Sequence, residues 1–234
     1  YVEVSYNLYK SNPDQYGDQF LADYQLVSAT LDQIATAGGK NAGHAASQKA
    51  YVDRLYAASG AADCGQMDQM YASVVAESAN DLDKLGSIMK LYRRLGCTES
   101  EVYFAAAEHA HKLQPTAESA AGCAQMCIKK DDLNGAVEYY KQALTLVIEN
   151  EDKADYLYRL ANVYVSLKNY QQGVAHAQQA LDLNAEDGRC YLLMGICYAS
   201  AKVSDDPILQ RSVFWVACDM FRKAKSVDSS CATD

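Results

Sequence analysis

The sequence predicts an all-α chain, a right-handed α-α superhelix of stacked antiparallel helical hairpins, and three observations carry that prediction. Only three prolines, Pro13, Pro115 and Pro207, interrupt 234 residues rich in Ala, Leu, Gln, Lys and Glu, a composition that favours long helices. Alternating Val/Ile/Thr runs of strand type are nearly absent. Large, small and aromatic residues recur at helical intervals, and their order returns along the chain. With 50% of residues hydrophobic, the chain falls in the globular class and can build a sizeable core.

Residues 1–80 read as degenerate helical hairpins that continue the array. "VEVSYNLYKSNP" is a helix stopped near Pro13. "QFLADYQLVSATLDQIATA" is amphipathic, with Phe20, Tyr24, Val27, Leu31 and Ile34 on one side. "GGKNAG" is a loop on its glycine content. "ASQKAYVDRLYAAS" and "MDQMYASVVAES" follow, separated by "GAADCG". With no low-complexity segment or long linker in view, one continuous solenoid is expected rather than two domains.

The clearest pattern lies in "YLYRLANVYVSLKNYQQGVAHAQQALDLNAED", residues 156–187. Leu157, Leu160, Ala161 and Tyr164 share one helical face; after a break at Lys168-Asn169, Tyr170, Gly173, Ala177 and Ala180 form a second. Thirty-four residues on, Tyr191, Met194, Gly195 and Tyr198 repeat the order large, large, small, aromatic. Upstream, Ala120, Cys123, Ala124 and Cys127 precede Leu133, Ala136, Tyr140 and Ala143. Further up, Leu85, Ile88, Met89 and Tyr92 precede Tyr103, Ala107 and Ala110, with Pro115 closing the unit. The small residues Ala136, Ala161, Gly173 and Gly195 are expected where paired helices approach closely.

These positions resemble the tetratricopeptide repeat (TPR), over four units at 81–115, 117–150, 154–187 and 188–229. The third unit matches nearly every position, although Ala177 replaces the usual aromatic and Ala185 the Pro. The second carries cysteines at two large-residue positions, the first about two extra residues in its turn, and the fourth an insertion at 201–210, "AKVSDDPILQ". After it, Asp206 and Pro207 are suited to the N-cap and first position of a long helix containing Val213, Phe214, Val216, Ala217, Met220 and Phe221. Apolar residues on that scale need cover, which a further helix of a full-length protein would supply. The runs "RCYLLMGICYA", "DDPILQRSVFWVACDMFRKAKSVD" and "TESEVYFAAAEHAHKLQPTAESA" resemble an uncharacterised family of TPR proteins from anaerobic gut and oral bacteria. That resemblance implies a longer protein with an export signal. It favours a periplasmic or cell-envelope location and leaves the cytoplasm open; the start at Tyr1 fits a piece of something longer.

The net charge of −9 argues against a nucleic-acid partner, whose phosphates need a basic face. No apolar run approaches the roughly 18 residues of a membrane span. The eight cysteines contain no CxxC pair, and buried thiols are expected over disulfides because a chain of this size does not need staples. Cys123 and Cys127 share a helical face, as do Cys190 and Cys197, but core thiols explain them better than zinc ligands. His109 and His111 are two apart and diverge; with His44 and His176 they read as exposed or internally satisfied. Phosphate loops, a GxSxG elbow and a dinucleotide fingerprint are missing, so a non-enzymatic protein with no cofactor and no metal is expected.

The TPR resemblance implies that the first helix of each unit lines a concave groove. Carried over position by position, its contacts are Lys90, Arg93 and Arg94, then Gln125 and Lys129, then Tyr158, Arg159, Asn162 and Ser166, then Leu192, Leu193, Ile196 and Ala199. Such a groove grades from basic to apolar and would take a protein or peptide ligand. Gly86 and Lys90 stand where the family's carboxylate clamp has Lys and Asn, and Asn162 matches a clamp position alone, so an Asp-terminated chaperone tail is not the expected ligand. The alternative is a carbohydrate- or nutrient-binding envelope protein built on TPR helices, for which the 18 tyrosines and Trp215 would supply aromatic platforms.

Overall fold

A computed structural model describes residues 1–231 apart from Ala62 and Ser204, with only the backbone of Asp14. All regular structure among the described residues is helical. The helices are α1 (Val2–Ser11), α2 (Pro13–Thr36), α3 (Ala42–Ser59), α4 (Cys64–Glu77), α5 (Leu82–Leu95), α6 (Glu101–Leu113), α7 (Ala117–Lys129), α8 (Leu133–Leu146), α9 (Asn150–Ser166), α10 (Tyr170–Leu183), α11 (Gly188–Ser200) and α12 (Pro207–Val227). The chain forms two compact units, Tyr1–Ala106 and Ala107–Asp234, with the division inside α6.

Local chemistry sets the helix ends. Asn12, Asp81, Asp132 and Asn169 each accept a hydrogen bond from the backbone N–H three residues on, satisfying donors the first turn leaves orphaned. Pro13 and Pro207 occupy first-turn positions, where a missing N–H costs nothing. Asp206 accepts from the Ile208 N–H at 2.8 Å, as its sequence position suggested. The turns α7–α8 and α9–α10 are built alike. Asp131 (φ 61°) and Lys168 (φ 59°) adopt the left-handed conformation, and the next N–H, of Asp132 or Asn169, reaches back to Cys127 O or Tyr164 O at 2.8 Å.

In the first unit an aromatic stack ties α1, α2 and α3 together. Tyr24 lies face to face on Tyr56 with centroids 4.0 Å apart, and Phe20 sits against Tyr56, Tyr9 and Tyr6. Phe20 and Tyr24 are fully buried as the pattern on α2 predicts, whereas Ile34 at its far end is 40% exposed. Two buried carboxylates are satisfied: Asp53 accepts from Tyr24 Oη at 3.1 Å and Lys49 Nζ at 2.9 Å, and Asp23 accepts from Ser5 Oγ and Gln19. On α4, Asp68 accepts from Tyr92 Oη at 3.1 Å and from Ser100 Oγ.

The thiol expectation fails at one pair, because Cys64 and Cys97 form a disulfide. Cys64 opens α4 and Cys97 follows the left-handed Gly96 that ends α5, so the antiparallel pairing of α4 with α5 brings their Cα atoms to 5.5 Å. Cys123, Cys127, Cys190 and Cys197 are buried thiols. Burial pushes Cys123 and Cys190 up to about 12 and Cys197 to about 11, so all three are protonated at neutral pH.

In the second unit each helix packs on the next from α7 to α12. α9 is covered on two sides: Tyr156, Leu160 and Val163 join the core made with α7 and α8, and Leu157 and Ala161 join the core made with α10 and α11. The small positions lie at close approaches. Ala136 and Ala161 are fully buried, a Cβ on Gly173 would stand 3.1 Å from Val165 and Cys197 side-chain atoms, and one on Gly195 would stand 2.4 Å from the Phe221 ring.

Two outcomes follow. Cys64→Ser, which opens a link spanning 33 positions, lowers stability by about 2–4 kcal/mol in urea titrations without reductant, and dithiothreitol lowers the parent equally; unchanged midpoints refute the bridge. Gly195→Ala costs about 1–3 kcal/mol. Most of that cost disappears in a Phe221→Ala background, and additive losses in the double-mutant cycle would refute the contact.

Candidate partner-binding face

The residues that the sequence singled out lie on α5, α7, α9 and α11, and one of them, Leu193, is buried in the core of the second unit. On α5 the apolar side is buried through Leu85, Ile88, Met89, Leu91 and Tyr92, leaving Lys90, Arg93 and Arg94 exposed. The two arginines lie in the last turn, where positive charge also complements the helix dipole. These three residues belong to the first unit, and the remaining candidates to the second.

In the second unit, α9 and α11 touch along their sides. Tyr158 and Asn162 of α9 and Leu192 of α11 are half-buried, while Ile196 is 40% exposed. On α7, Gln125 is half-buried, Lys129 exposed and Ile128 40% exposed. Gln125, Asn162 and Ile196 occupy equivalent places in successive first helices. The Asn162 amide folds back to donate to Tyr158 O at 3.1 Å.

The charged centre of this face involves residues that the sequence reading passed over. Arg189, in the first turn of α11, grips Asp187 with two nitrogens, Nε to Oδ1 at 3.0 Å and Nη2 to Oδ2 at 2.7 Å. Its guanidinium lies 4.5 Å from the centroid of the Tyr158 ring, and its Nη1 stands 3.6 Å from Asp155 Oδ1. Asp155 also accepts from Arg159 Nε at 2.6 Å. Burial works against the Arg159 cation, but the Asp155 carboxylate, with a smaller contribution from Tyr140, more than offsets it. Arg159, expected as a ligand contact, is therefore engaged internally. Asp155 and Arg189 sit 34 positions apart at the same place in their repeats, which was the available signal.

Two of the four histidines have local partners. His111 Nδ1 lies 3.3 Å from Ser119 Oγ with its ring edge-on to Tyr139, and His176 donates to Gln172 O while stacking on Tyr164. Among the described residues no group of three or more His, Cys, Asp or Glu is placed to hold a metal ion. No described helix is long and apolar enough to cross a membrane.

Residues 154–187 match the tetratricopeptide repeat family model. Among curated proteins none matches the chain. The MamA protein superposes with a TM-score of 0.54 at 18% identity, over 71% of this chain and 85% of MamA. The Cut9–Hcn1 structure of the APC/C matches with a TM-score of 0.54 at 14% identity, over 97% of this chain and 49% of that one. YrrB, described as a TPR protein with an unusual peptide-binding site, aligns at 0.45 and 19% identity over 68% of this chain and 92% of its own. The chain is thus an all-helical protein with the tetratricopeptide-repeat fold, carrying a sequence-matched repeat at residues 154–187.

Proposed function

We propose that this chain is a non-enzymatic protein-interaction scaffold for a peptide or partner segment, with the first helices of the repeats 81–115, 117–150, 154–187 and 188–229 as its candidate contact surfaces. The fold is of a kind typical of such scaffolds, and the observation that carries the finer reading is the face of α9 and α11. There Tyr158 is braced by Arg189, which is itself held by Asp155 and Asp187, and α11 also carries the half-buried Leu192 and the exposed Ile196. Side chains already ordered on helices lose little freedom on binding, so their contact energy reaches a partner with less entropic loss. Because the two arginines and two aspartates offset one another, this part of the face selects by shape and apolar contact. Acidic partner residues are left to the exposed Lys90 and Arg94 of α5.

A place in the bacterial envelope is part of the proposal. It rests on the family resemblance, and the Cys64–Cys97 bridge supports it, since such bonds persist in oxidising compartments. The glycan reading has less support: an aromatic platform for a sugar needs an open ring face, and one face of Tyr158 is covered by Arg189.

Recovery of a stoichiometric protein partner by this protein, with no binding on a glycan array, is the expected result. Tyr158→Ala combined with Ile196→Asp weakens that partner by about tenfold or more, as loss of an aromatic anchor does. Lys90→Glu with Arg94→Glu weakens it chiefly at low salt. Unchanged affinity in both variants would place the site elsewhere, and glycan binding without a protein partner would reverse the reading.

A further inference from the structure

The last helix of the second unit carries a surface unrelated to the α9–α11 face. α12 packs on α11 through Ala217 and Ala224, which are buried, with Val213 and Met220 half-buried and Phe221 over Gly195. Its opposite side is exposed and carries two large apolar residues, Ile208 at 74% and Trp215 at 70% exposed. Single exposed hydrophobes are ordinary, but a tryptophan at the centre of an organised stripe marks a contact surface.

The stripe is organised by charge as well as by apolarity. Ile208, Arg211, Trp215, Asp219 and Arg222 follow one another at spacings of three and four, which places them along one line of the helix surface. Arg211 and Asp219 stand four residues to either side of Trp215, with opposite sign. Arg222 donates to Asp219 Oδ1 at 2.8 Å within the helix, and Arg211 has no ion-pair partner among the described residues. The arrangement has the symmetry of a two-fold axis through Trp215.

We infer that the outer face of α12 is an isologous homodimer interface, in which two copies of the chain pack α12 against α12, antiparallel, about Trp215. In that register each Trp215 meets its counterpart, each Arg211 faces the Asp219 of the other copy, and each Ile208 lies against the aliphatic stem of the opposite Arg222. A contact residue paired with its mirror-related partner on both sides is what a two-fold interface requires. A parallel pairing would set Arg211 on Arg211 and Asp219 on Asp219, so electrostatics selects the antiparallel one. Both ion pairs would form beside the buried indole, where screening by salt is weaker than at the open surface.

The test uses the 234-residue chain with Cys218→Ser, so that no intermolecular disulfide through this exposed thiol can imitate association. Light scattering at high micromolar concentration is expected to give twice the 25.6 kDa chain mass, falling to the single mass on dilution, with Trp215 fluorescence shifting to the red as the indole meets water. Trp215→Ala abolishes the dimer while its circular dichroism and thermal midpoint stay those of the parent at the dilution where the parent is single. Arg211→Asp and Asp219→Arg each weaken association by about tenfold or more, and the two together restore it to within about threefold, because the swapped charges face each other again. Failure of the swap to restore the dimer overturns the register. A chain that stays single at every concentration overturns the interface itself. Flotation of that single chain with phosphatidylglycerol vesicles would then assign the face to a lipid surface, and absence of flotation would leave it to a different protein.

Discussion

The second unit depends on how closely its paired helices can approach. Gly195 leaves room for the Phe221 ring, Gly173 lies against Val165 and Cys197, and Ala136 and Ala161 are sealed from solvent. A helix admitted that near lets large neighbours such as Leu157, Leu160 and Met194 interlock instead of holding the backbones apart. Two-sided burial follows from it: α9 contributes one set of side chains to the core with α7 and α8 and another to the core with α10 and α11. The set facing α7 and α8 could not be buried within the α9–α10 hairpin, which is why units of this kind are stable only as neighbours.

The first unit meets the same need with different chemistry. Its core is built from tyrosines whose hydroxyls must be satisfied as the rings are buried. Burial pushes the Tyr56 phenol up to about 12 and drives Tyr24 and Tyr92 higher, with the carboxylates of Asp53 and Asp68 adding to the shift in those two. The phenols consequently keep their protons at any physiological pH and remain donors to Asp53 and Asp68, so these carboxylates accept at positions where an unpartnered charge would be expensive. The α4–α5 pair is held by this network together with the Cys64–Cys97 bridge.

Much of this organisation was legible in the residue order, for a physical reason. Periodicity reports which residues share a helical face, so the paired faces of 85–229, the Asp206 cap and the buried start of α2 could be read directly. It does not report what covers a face. Ile34 belongs to the α2 stripe by spacing yet is 40% exposed, and the apolar residues of α12 split into a packed side and an open one. Nor does it report what folding brings together from distant positions. The Cys64–Cys97 bond needs α4 and α5 to be antiparallel neighbours, and the grip of Asp155 on both Arg159 and Arg189 needs α9 beside α11. The last pair lay within reach, since Asp155 and Arg189 share a repeat position, but a register does not say that an arginine will lie on a tyrosine ring.

That engagement changes what the proposed α9–α11 face can recognise. An arginine with a carboxylate on each side, stacked on an aromatic ring, offers an incoming acidic group little that it does not already have. Drawing Arg189 away would break a bidentate pair with Asp187 and strand Asp155 between one cation and water. Selectivity for charge therefore cannot reside there. As proposed, the cluster would act instead as a brace for Tyr158 on a face that also carries Leu192 and Ile196, where geometry discriminates and an ill-fitting polar group is penalised by desolvation. On the proposed reading, charge recognition falls to residues whose cations are exposed, Lys90 and Arg94 on α5, and exposed cations act at longer range and are more readily screened by salt.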